Sequence, residues 1–292
     1  MNRVNTKLFY AQYQGHPITH LETIYNQIHQ LKQVKRIVYL AGDSSLDNKY
    51  WLNNYLPAVN GYEQILNSPQ MKPDISYHMN NIFSNSNPDY VVINTSVEAS
   101  TITERTIQLY PQDQFIQEHI SDNDILIVSI GGNDIALSPS MKTIFNMAMM
   151  MYMNSIETIK KGPDFTWGMN HFINMFRDQI KNYIMKIIGD KKPHKIIVCM
   201  IYYPDEQSTG SWADRVLGYL GYNNDPQKLQ AAIHQLFTHA TRNISISGCQ
   251  VVPFAMHRVL DGKNTSDYVQ RVEPSAIGGK KLAKAFVKCC LK

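Results

Sequence analysis

Five short apolar runs alternate along the chain with segments of helical periodicity, and this alternation restricts the fold more than any other feature. The runs are Arg36 to Ala41, Tyr90 to Asn94, Ile125 to Ile130, Lys195 to Tyr202 and Gln250 to Phe254. Strands that alternate with helices predict a parallel sheet, and right-handed crossovers must cover both of its faces. We therefore predict an α/β protein, a three-layer α/β/α sandwich with five parallel strands.

The helices that this pattern predicts lie before, between and after the strands. They are Ile18 to Lys32, Met71 to Phe83, Gln114 to His119, Ser138 to Ile159, His171 to Ile188, Pro226 to Ile244 and Ser275 to Cys289. Residues 1–292 are expected to form a single domain, with a Met-rich helical insertion at 138–189 that is longer than a crossover needs.

Methionines are concentrated in this insertion, at positions 141, 147, 149, 150, 151 and 153. Methionine side chains fill irregular gaps and adapt to varied surfaces. Three interpretations stay open for the helix at 141–153: a cap over an acyl-binding groove, a docking face for a protein partner, or a plain core helix.

Composition excludes several classes of function. The net charge of +4 is dispersed, and adjacent basic residues occur at most in pairs, so no nucleic acid partner is expected. No apolar stretch reaches the roughly 18 residues of a membrane span. Four cysteines without metal-ligand spacing predict no metal site and a reducing, intracellular compartment, the cytoplasm. The lack of acidic residues before Glu22 leaves a mitochondrial leader open as the alternative.

The first apolar run ends in Gly42-Asp43-Ser44, which makes Ser44 the candidate nucleophile. Open α/β sheets bind ligands at the carboxyl ends of their strands, and a glycine there allows a sharp turn and a close approach to substrate. The alternative is a helix N-cap, because the same residue types are good capping residues.

Three later segments, each at the end of a different strand, supply groups that acyl transfer requires. The first, Asn94 to Thr101, follows the second strand. Gly131-Gly132-Asn133-Asp134 follows the third strand, where the Asn133 amide could stabilise an oxyanion. Glu273-Pro274-Ser275 precedes the last predicted helix and offers a carboxyl group. Together with Ser44, these segments point to acyl transfer by a serine nucleophile.

In their order along the chain, these motifs resemble those of the SGNH hydrolases, also called GDSL esterases and lipases, from Gly42 to Gly279. Gly42-Asp43-Ser44 matches the block that carries the family's nucleophile, and Gly132-Asn133-Asp134 matches the block whose asparagine completes the oxyanion hole. The resemblance implies a flavodoxin-like sheet, an acyl-serine intermediate and no cofactor. It also implies an oxyanion hole formed by the N–H groups of Ser44 and Ala99 and by the Asn133 amide.

Two positions depart from the family pattern. Ala99 stands where the second block usually has a glycine, and its methyl group disfavours a positive φ. The expected aspartate and histidine of the last block are missing, and Glu273 occupies the position of the base. A free glutamate has a pKa of about 4.3, against about 6.5 for histidine, so it is a poorer base unless burial raises its pKa.

The identity of the base therefore has alternatives. Asp267, upstream of Glu273, could share a proton with it, and the pair would resemble the glutamate and aspartate that serve the serine in the serine-carboxyl peptidases. His257, after the fifth strand, could instead complete an ordinary triad. Glu273 could also be a helix cap or an ion-pair partner of Arg271 or Lys280.

Two functions follow from these motifs. The first is a serine ester hydrolase of SGNH type that acts on a small acyl ester through Ser44. The second is a catalytically degenerate relative that serves as a structural or binding subunit of a larger assembly, which the missing histidine favours. A nucleotide- or flavin-binding protein is disfavoured, since no phosphate-binding glycine loop follows the first strand.

Overall fold

A computed structural model describes residues 3–31 and 34–292, and a parallel five-stranded sheet lies at its centre. The strands of this sheet, numbered β1 to β5, are Arg36–Gly42, Tyr90–Asn94, Ile125–Ser129, Lys195–Met200 and Val251–Ala255. Their order is β2-β1-β3-β4-β5, and every neighbouring pair is parallel. This is the flavodoxin-like order, so the predicted fold class is confirmed.

The α-helices in the described residues are numbered α1 to α14. They are Thr6–Ala11, Ile18–Leu31, Tyr62–Ile65, Ile75–Ser86, Ile102–Ile107, Pro111–His119, Asn133–Ala136, Met141–Tyr152, Ile156–Lys160, Met169–Ile173, Ile180–Ile188, Ala213–Tyr219, Pro226–His239 and Ala276–Cys290. A π-helical segment, Asn174–Gln179, joins α10 to α11. Turns of 3-10 helix form at Asn48–Trp51, Thr241–Asn243, Met256–Arg258 and Thr265–Asp267.

Strand β1 shows why the sheet is covered on both faces. Side chains alternate across a strand, so that Tyr39 and Ala41 belong to one hydrophobic core whereas Val38 and Leu40 belong to the other. Helices α4 and α14 supply the second core, and α2, α6, α11 and α13 supply the first. The two sets of helices are the outer layers of the predicted sandwich.

Several helices differ from their predicted boundaries. The helix predicted from Met71 begins at Ile75, because the Asp74 side chain caps it by accepting a hydrogen bond from the Tyr77 N–H. The segment predicted as one helix over 138–159 is two helices, α8 and α9, and Ser155 caps the second. Lys32, the predicted end of α2, lies outside the described residues.

Two short antiparallel ribbons lie outside the sheet. One pairs Leu56–Pro57 with Gln70–Met71, and the other pairs Tyr268–Val269 with Glu273–Pro274. The second ribbon matters for function, because it carries Glu273 close to the N-cap of α14. Within the described ranges, every helix is too short or too polar to span a lipid bilayer.

Candidate active site

Strand β1 ends at Gly42, where the backbone turns sharply toward Ser44. Gly42 has φ 149°, and a Cβ atom at this position would overlap the carbonyl oxygen of Ser129 on β3. The Asp43 N–H donates to that same oxygen at 3.0 Å. Only glycine fits here, because the two central strands stay in contact up to the turn that carries the serine.

The Asp43 side chain joins the serine turn to the turn after β3. One carboxylate oxygen accepts hydrogen bonds from the Ser45 N–H at 3.0 Å and the Ser45 hydroxyl at 2.7 Å, and the other accepts from the Gly131 N–H at 3.2 Å. Burial raises the pKa of Asp43 to about 6, although the bonds from Ser45 oppose the rise. Asp43 therefore braces the turn of Ser44, since both of its oxygens already have protein donors.

The loop after β2 carries Ala99 in the left-handed region, at φ 60°. The SGNH sequence pattern has glycine at this position, whereas this chain has alanine and still adopts a positive φ. The loop is held by the Asp47 carboxylate, which accepts from the Glu98 N–H at 3.0 Å, and by the Val97 N–H, which donates to the Gly42 carbonyl at 2.9 Å. These contacts fix a conformation that alanine on its own disfavours.

The groups expected to form an oxyanion hole have N–H groups without a protein acceptor. The Asn133 amide donates one hydrogen bond to the Ser100 carbonyl at 3.0 Å, which fixes its orientation near the Ala99 loop and leaves its second N–H. In residues 3–31 and 34–292, no protein group accepts from the Ser44 N–H or the Ala99 N–H. Ser44 and Asn133 line the cleft over the serine, whereas Ala99 is not among its lining residues. An oxyanion hole requires unused N–H groups that face the reacting carbonyl.

Glu273 faces Ser44 in the cleft above the sheet. Both residues are buried, at 3% and 6% exposure, and both line the same cleft. The Ser44 hydroxyl acts to lower the pKa of the Glu273 carboxyl. The second carboxyl oxygen of Glu273 has no hydrogen-bond partner in the described residues, so neither a helix cap nor an ion pair accounts for it.

The electrostatic surroundings of Glu273 favour its protonated form. Burial raises the pKa of its carboxyl well above the usual range, the charge of Glu98 raises it further, and the Ser44 hydroxyl acts in the opposite direction. Burial likewise raises the pKa of Glu98, with the charges of Asp47 and Asp43 adding to the effect. The charge of Glu98 thus opposes the ionisation of Glu273, in addition to the effect of burial.

Glu98 is a residue that the sequence did not single out. It is 1% exposed, and its carboxyl accepts a hydrogen bond of 3.4 Å from the Tyr13 hydroxyl. Its position in the sequence could have indicated Glu98 as a candidate, since an acidic residue directly before Ala99 lies in the loop that follows a buried strand. Nothing in the spacing showed that the charge of Glu98 would act on the carboxyl of Glu273.

The structure does not bring Asp267 into this group. Its carboxylate pairs with the Lys281 ammonium group on α14 at 2.6 Å, and it does not line the cleft. In the ribbon, Val269 stands opposite Glu273, and the Ser275 N–H bonds to the Asp267 carbonyl, so Asp267 and Glu273 are not paired. The carboxyl whose charge acts most on Glu273 is that of Glu98 rather than that of Asp267.

His257 also lies elsewhere. Its ring stacks on Tyr203, with 5.0 Å between ring centroids, and contacts His234 and Phe237 edge-on. Burial lowers its pKa to about 4, and the residue is not part of the cleft lining. The structure therefore offers no ordinary serine–histidine pair between Ser44 and this histidine.

The cleft over Ser44 has a volume of about 110 Å³, taken as the space that the centre of a water molecule can occupy. Its charged and polar lining includes Asp43, Ser44, Ser45, Asn133 and Glu273. Most of the remaining wall comes from the segment after β4 and from α8, α12 and α13, and it includes two methionines of the Met-rich helix, Met147 and Met150.

Helix α12 was not predicted from the sequence. Val216 and Leu217 of this helix and Leu220 at its C-cap line the cleft with the spacing of one helix face, and Trp212 at its N-cap lines it as well. This part of the cleft wall was thus not predicted, although the apolar residues of α12 have helical spacing.

A cluster of metal-ligating residue types lies away from the cleft. Glu22, Glu118 and His119, on α2 and α6, have ligand atoms within 4.8 Å of one another. The His119 ring already contacts the Glu22 carboxylate at 3.0 Å. None of these residues lines the cleft, so this cluster is not part of the candidate active site.

No protein-family model and no curated protein matches the chain. Similar solved structures include a lipase from a goat rumen metagenome, with 12% identity and a TM-score of 0.49 over 86% of this chain and 95% of that chain. Others are the carbohydrate acetylesterase Est24 from Sinorhizobium meliloti (14%, 0.45, 88% and 99%) and a catalytic mutant of the acetylxylan esterase Axe2 from Geobacillus stearothermophilus (12%, 0.44, 88% and 94%). At these identities, the similarity concerns the fold and assigns no activity to this chain.

Proposed function

We propose that the chain is a divergent serine ester hydrolase of SGNH type in which a glutamate replaces the histidine base. The observation that carries the proposal is that Ser44 and the buried Glu273 line the same cleft, where the serine hydroxyl influences the pKa of the carboxyl. A nucleophile and a base within reach of each other are the minimum that acyl-serine chemistry requires.

The reaction would proceed in two halves. The Ser44 oxygen attacks the ester carbon while its proton passes to the Glu273 carboxylate, and the negative charge on the carbonyl oxygen is stabilised by the N–H groups of Ser44, Ala99 and Asn133. The bond to the alcohol then breaks, and Glu273 returns the proton to the departing oxygen. Water repeats the sequence on the acyl-serine, which releases the acid and restores Ser44.

An ordinary glutamate is a poor proton donor near neutral pH. The charge of Glu98 improves Glu273 as a donor, because it raises the pKa of that carboxyl. When the pair of Glu98 and Glu273 carries a single negative charge, Glu273 can accept the serine proton as a carboxylate. Its raised pKa then lets it hold that proton long enough to return it to the alcohol. The base is thus a carboxyl whose proton affinity is set by burial and by a second carboxyl.

The proposal is tested with p-nitrophenyl butyrate and with a fluorophosphonate probe that forms a covalent bond to an activated serine. The wild-type protein should turn over the ester and carry the probe on the peptide containing Ser44. Ser44→Ala should lose both, and Glu273→Gln should lose turnover by at least a hundredfold, since a general base contributes about 10²–10⁴.

The matched control is Ser76→Ala, which removes a buried serine hydroxyl that donates to Asp74 on α4, away from the cleft. This variant should keep both turnover and labelling. Wild-type protein that neither hydrolyses the ester nor takes up the probe between pH 5 and 9 would contradict the proposal.

A second candidate is a binding protein that retains the cleft without turnover. The observation that favours it is the raised pKa of Glu273, because a carboxyl that stays protonated at every accessible pH cannot act as a base. Ligand binding that survives in Ser44→Ala, together with the absence of probe labelling in the wild type, would support this candidate.

A further inference from the structure

The wall of the cleft is apolar almost everywhere except beside Ser44. Among its lining residues are Met150, Phe172, Leu217, Leu220, Ile233 and Leu236. Each of these residues is buried, with an exposure of 5% or less, so the apolar wall belongs to the folded core. A ligand that fills this space gains affinity by removing hydrocarbon from water.

The polar groups of the lining are mostly committed to other protein groups. The Ser45 hydroxyl bonds to Asp43 and to Ser129, and the Tyr202 hydroxyl donates to the Val272 carbonyl at 2.6 Å. The free polar groups are those of the candidate reaction. A ligand with many hydroxyl groups, such as a sugar, would leave most of them without partners against this wall, which costs binding energy.

The wall is also held in place by contacts between its elements. The Tyr152 hydroxyl at the end of α8 donates to the Tyr219 carbonyl at the end of α12. The Arg271 guanidinium, in the turn that leads to Glu273, bonds to the Asp214 carboxylate of α12 at 2.7 Å and to the Asp205 carbonyl at 2.9 and 3.0 Å. These bonds connect α8, α12 and the ribbon of Glu273, so the elements around the cleft are held in a defined arrangement.

The size of the cleft limits what it can hold. One water molecule needs roughly 10–15 Å³ of space for its centre, so the 110 Å³ available here corresponds to about 7–11 waters. With about one methylene group in place of each water, the cleft has room for an alkyl chain of about 7–11 carbons.

Building on the proposed function, we infer that the substrate is an ester of a fatty acid of medium chain length, with the alkyl chain lying in this apolar cleft. The scissile carbonyl then lies against Ser44 and Asn133, where the free polar groups are. Met147 and Met150 adapt the wall to chains of different length, because unbranched methionine side chains change shape readily.

The test is a series of p-nitrophenyl esters from acetyl through butyryl and octanoyl to dodecanoyl, and a matched series of acetate esters with alcohols of increasing length. We expect kcat/KM to rise by about fourfold per methylene along the acyl series as far as octanoyl, which corresponds to about 0.8 kcal/mol per buried methylene. The rise should stop before dodecanoyl, when the cleft is full. The alcohol series should respond much less. A preference for acetyl, or a response confined to the alcohol series, would overturn the inference.

Val216→Phe places a larger side chain in the cleft and should lower the ratio of octanoyl to acetyl turnover at least tenfold. The control Val259→Phe makes the same change at a half-buried valine outside the lining and should leave the ratio unaltered. An unchanged ratio in a folded Val216→Phe protein would contradict the placement of the chain.

A protein without esterase activity could still hold an alkyl chain in this cleft. If the wild type hydrolyses no ester, binding of free octanoate and dodecanoate is measured by calorimetry. Binding that weakens in Val216→Phe and persists in Val259→Phe supports the assignment of the cleft to an alkyl chain even when the proposed reaction fails. No binding of either acid overturns it.

Discussion

The Asn48 amide donates a hydrogen bond of 3.0 Å to the carbonyl of Pro274, 226 positions further along the chain. The other end of the same side chain accepts from the Ile75 N–H at 3.3 Å. Asn48 follows the serine turn and Pro274 follows Glu273, so this bond connects the segment of the candidate nucleophile with the ribbon of the proposed base. It thereby helps to hold Ser44 and Glu273 at a fixed separation.

Replacing Asn48 with alanine should therefore affect turnover more than its cost in stability explains. Loss of two buried hydrogen bonds should lower the free energy of unfolding by about 1–3 kcal/mol. A small displacement of the base can lower kcat by about 10²-fold, because catalysis depends on the geometry of the reacting groups. The measurements are urea unfolding and kcat for p-nitrophenyl butyrate.

The control is Asn80→Ala, since Asn80 is equally buried and bridges the backbone of Val92 with two bonds of 2.9 Å. Asn80 also accepts from the Asn60 amide at 2.8 Å, so this variant should lose at least as much stability but keep its turnover. Equal losses of kcat in both variants would contradict a specific role for Asn48.

Glu98→Gln should shift the pH profile of kcat/KM. The charge of Glu98 raises the pKa of Glu273, so its removal lowers that pKa while the effect of burial remains. A base with a lower pKa is deprotonated at lower pH, and the rising limb of the profile should move in the acid direction. A limb at the same pH in the variant and the wild type would show that the two carboxyls do not interact.

Glu273→Gln should change how stability depends on pH. The folded protein keeps a proton on Glu273 at pH values where the unfolded chain, with a pKa of about 4.3, has released it. The stability that this group contributes is thus complete at acid pH and is lost as the pH rises through the folded-state pKa. Between the two pKa values, the wild type should lose about 1.4 kcal/mol per pH unit relative to the variant.

The check is urea unfolding of both proteins at pH 5, 6, 7 and 8. The difference in the free energy of unfolding should move steadily in favour of the glutamine variant as the pH rises. A constant difference would mean that Glu273 titrates like a carboxyl in water.

Ala99→Gly should stabilise the protein slightly. An alanine in the left-handed region costs about 1–2 kcal/mol, and glycine loses about 0.5–1 kcal/mol through its greater freedom in the unfolded chain, so a net gain of about 0.5 kcal/mol is expected. The control Ala148→Gly, in the exposed middle of α8, should instead cost about 1 kcal/mol. The measurement is Tm by calorimetry, and a lower Tm for Ala99→Gly would show that packing of the methyl group outweighs the strain.

Strands were easier to predict from the sequence than the site. β1 and β3 are runs of apolar residues buried on both faces, and such a run has few alternatives in an α/β chain. Gly42 and Ser44 could be placed because they follow such a run. Helix α12 escaped prediction because Gly218 and its short length obscure its periodicity, which becomes plain only when its apolar face meets the cleft.

The partner of Glu273 could not be predicted because it depends on contacts between distant segments. Asp267 is close to Glu273 in sequence, yet α14 supplies Lys281 to its carboxylate. Glu98 is far from Glu273 along the chain, and it reaches the site through the loop that Asp47 holds. Asp267 is therefore the nearer carboxyl to Glu273 in the sequence, whereas Glu98 is the carboxyl whose charge acts most on it in the fold.

The glycine at the end of β1 has a consequence for where the proposed ester hydrolase could accommodate different ligands. Since no side chain separates β1 from β3 there, the turn that carries Ser44 is anchored directly to the paired middle of the sheet. The facing wall, in contrast, is built from helices and includes the unbranched side chains of Met147 and Met150. In the proposed reaction, adjustment to ligands of different shape would therefore fall to these methionines, while the anchored turn keeps the serine oxygen in place.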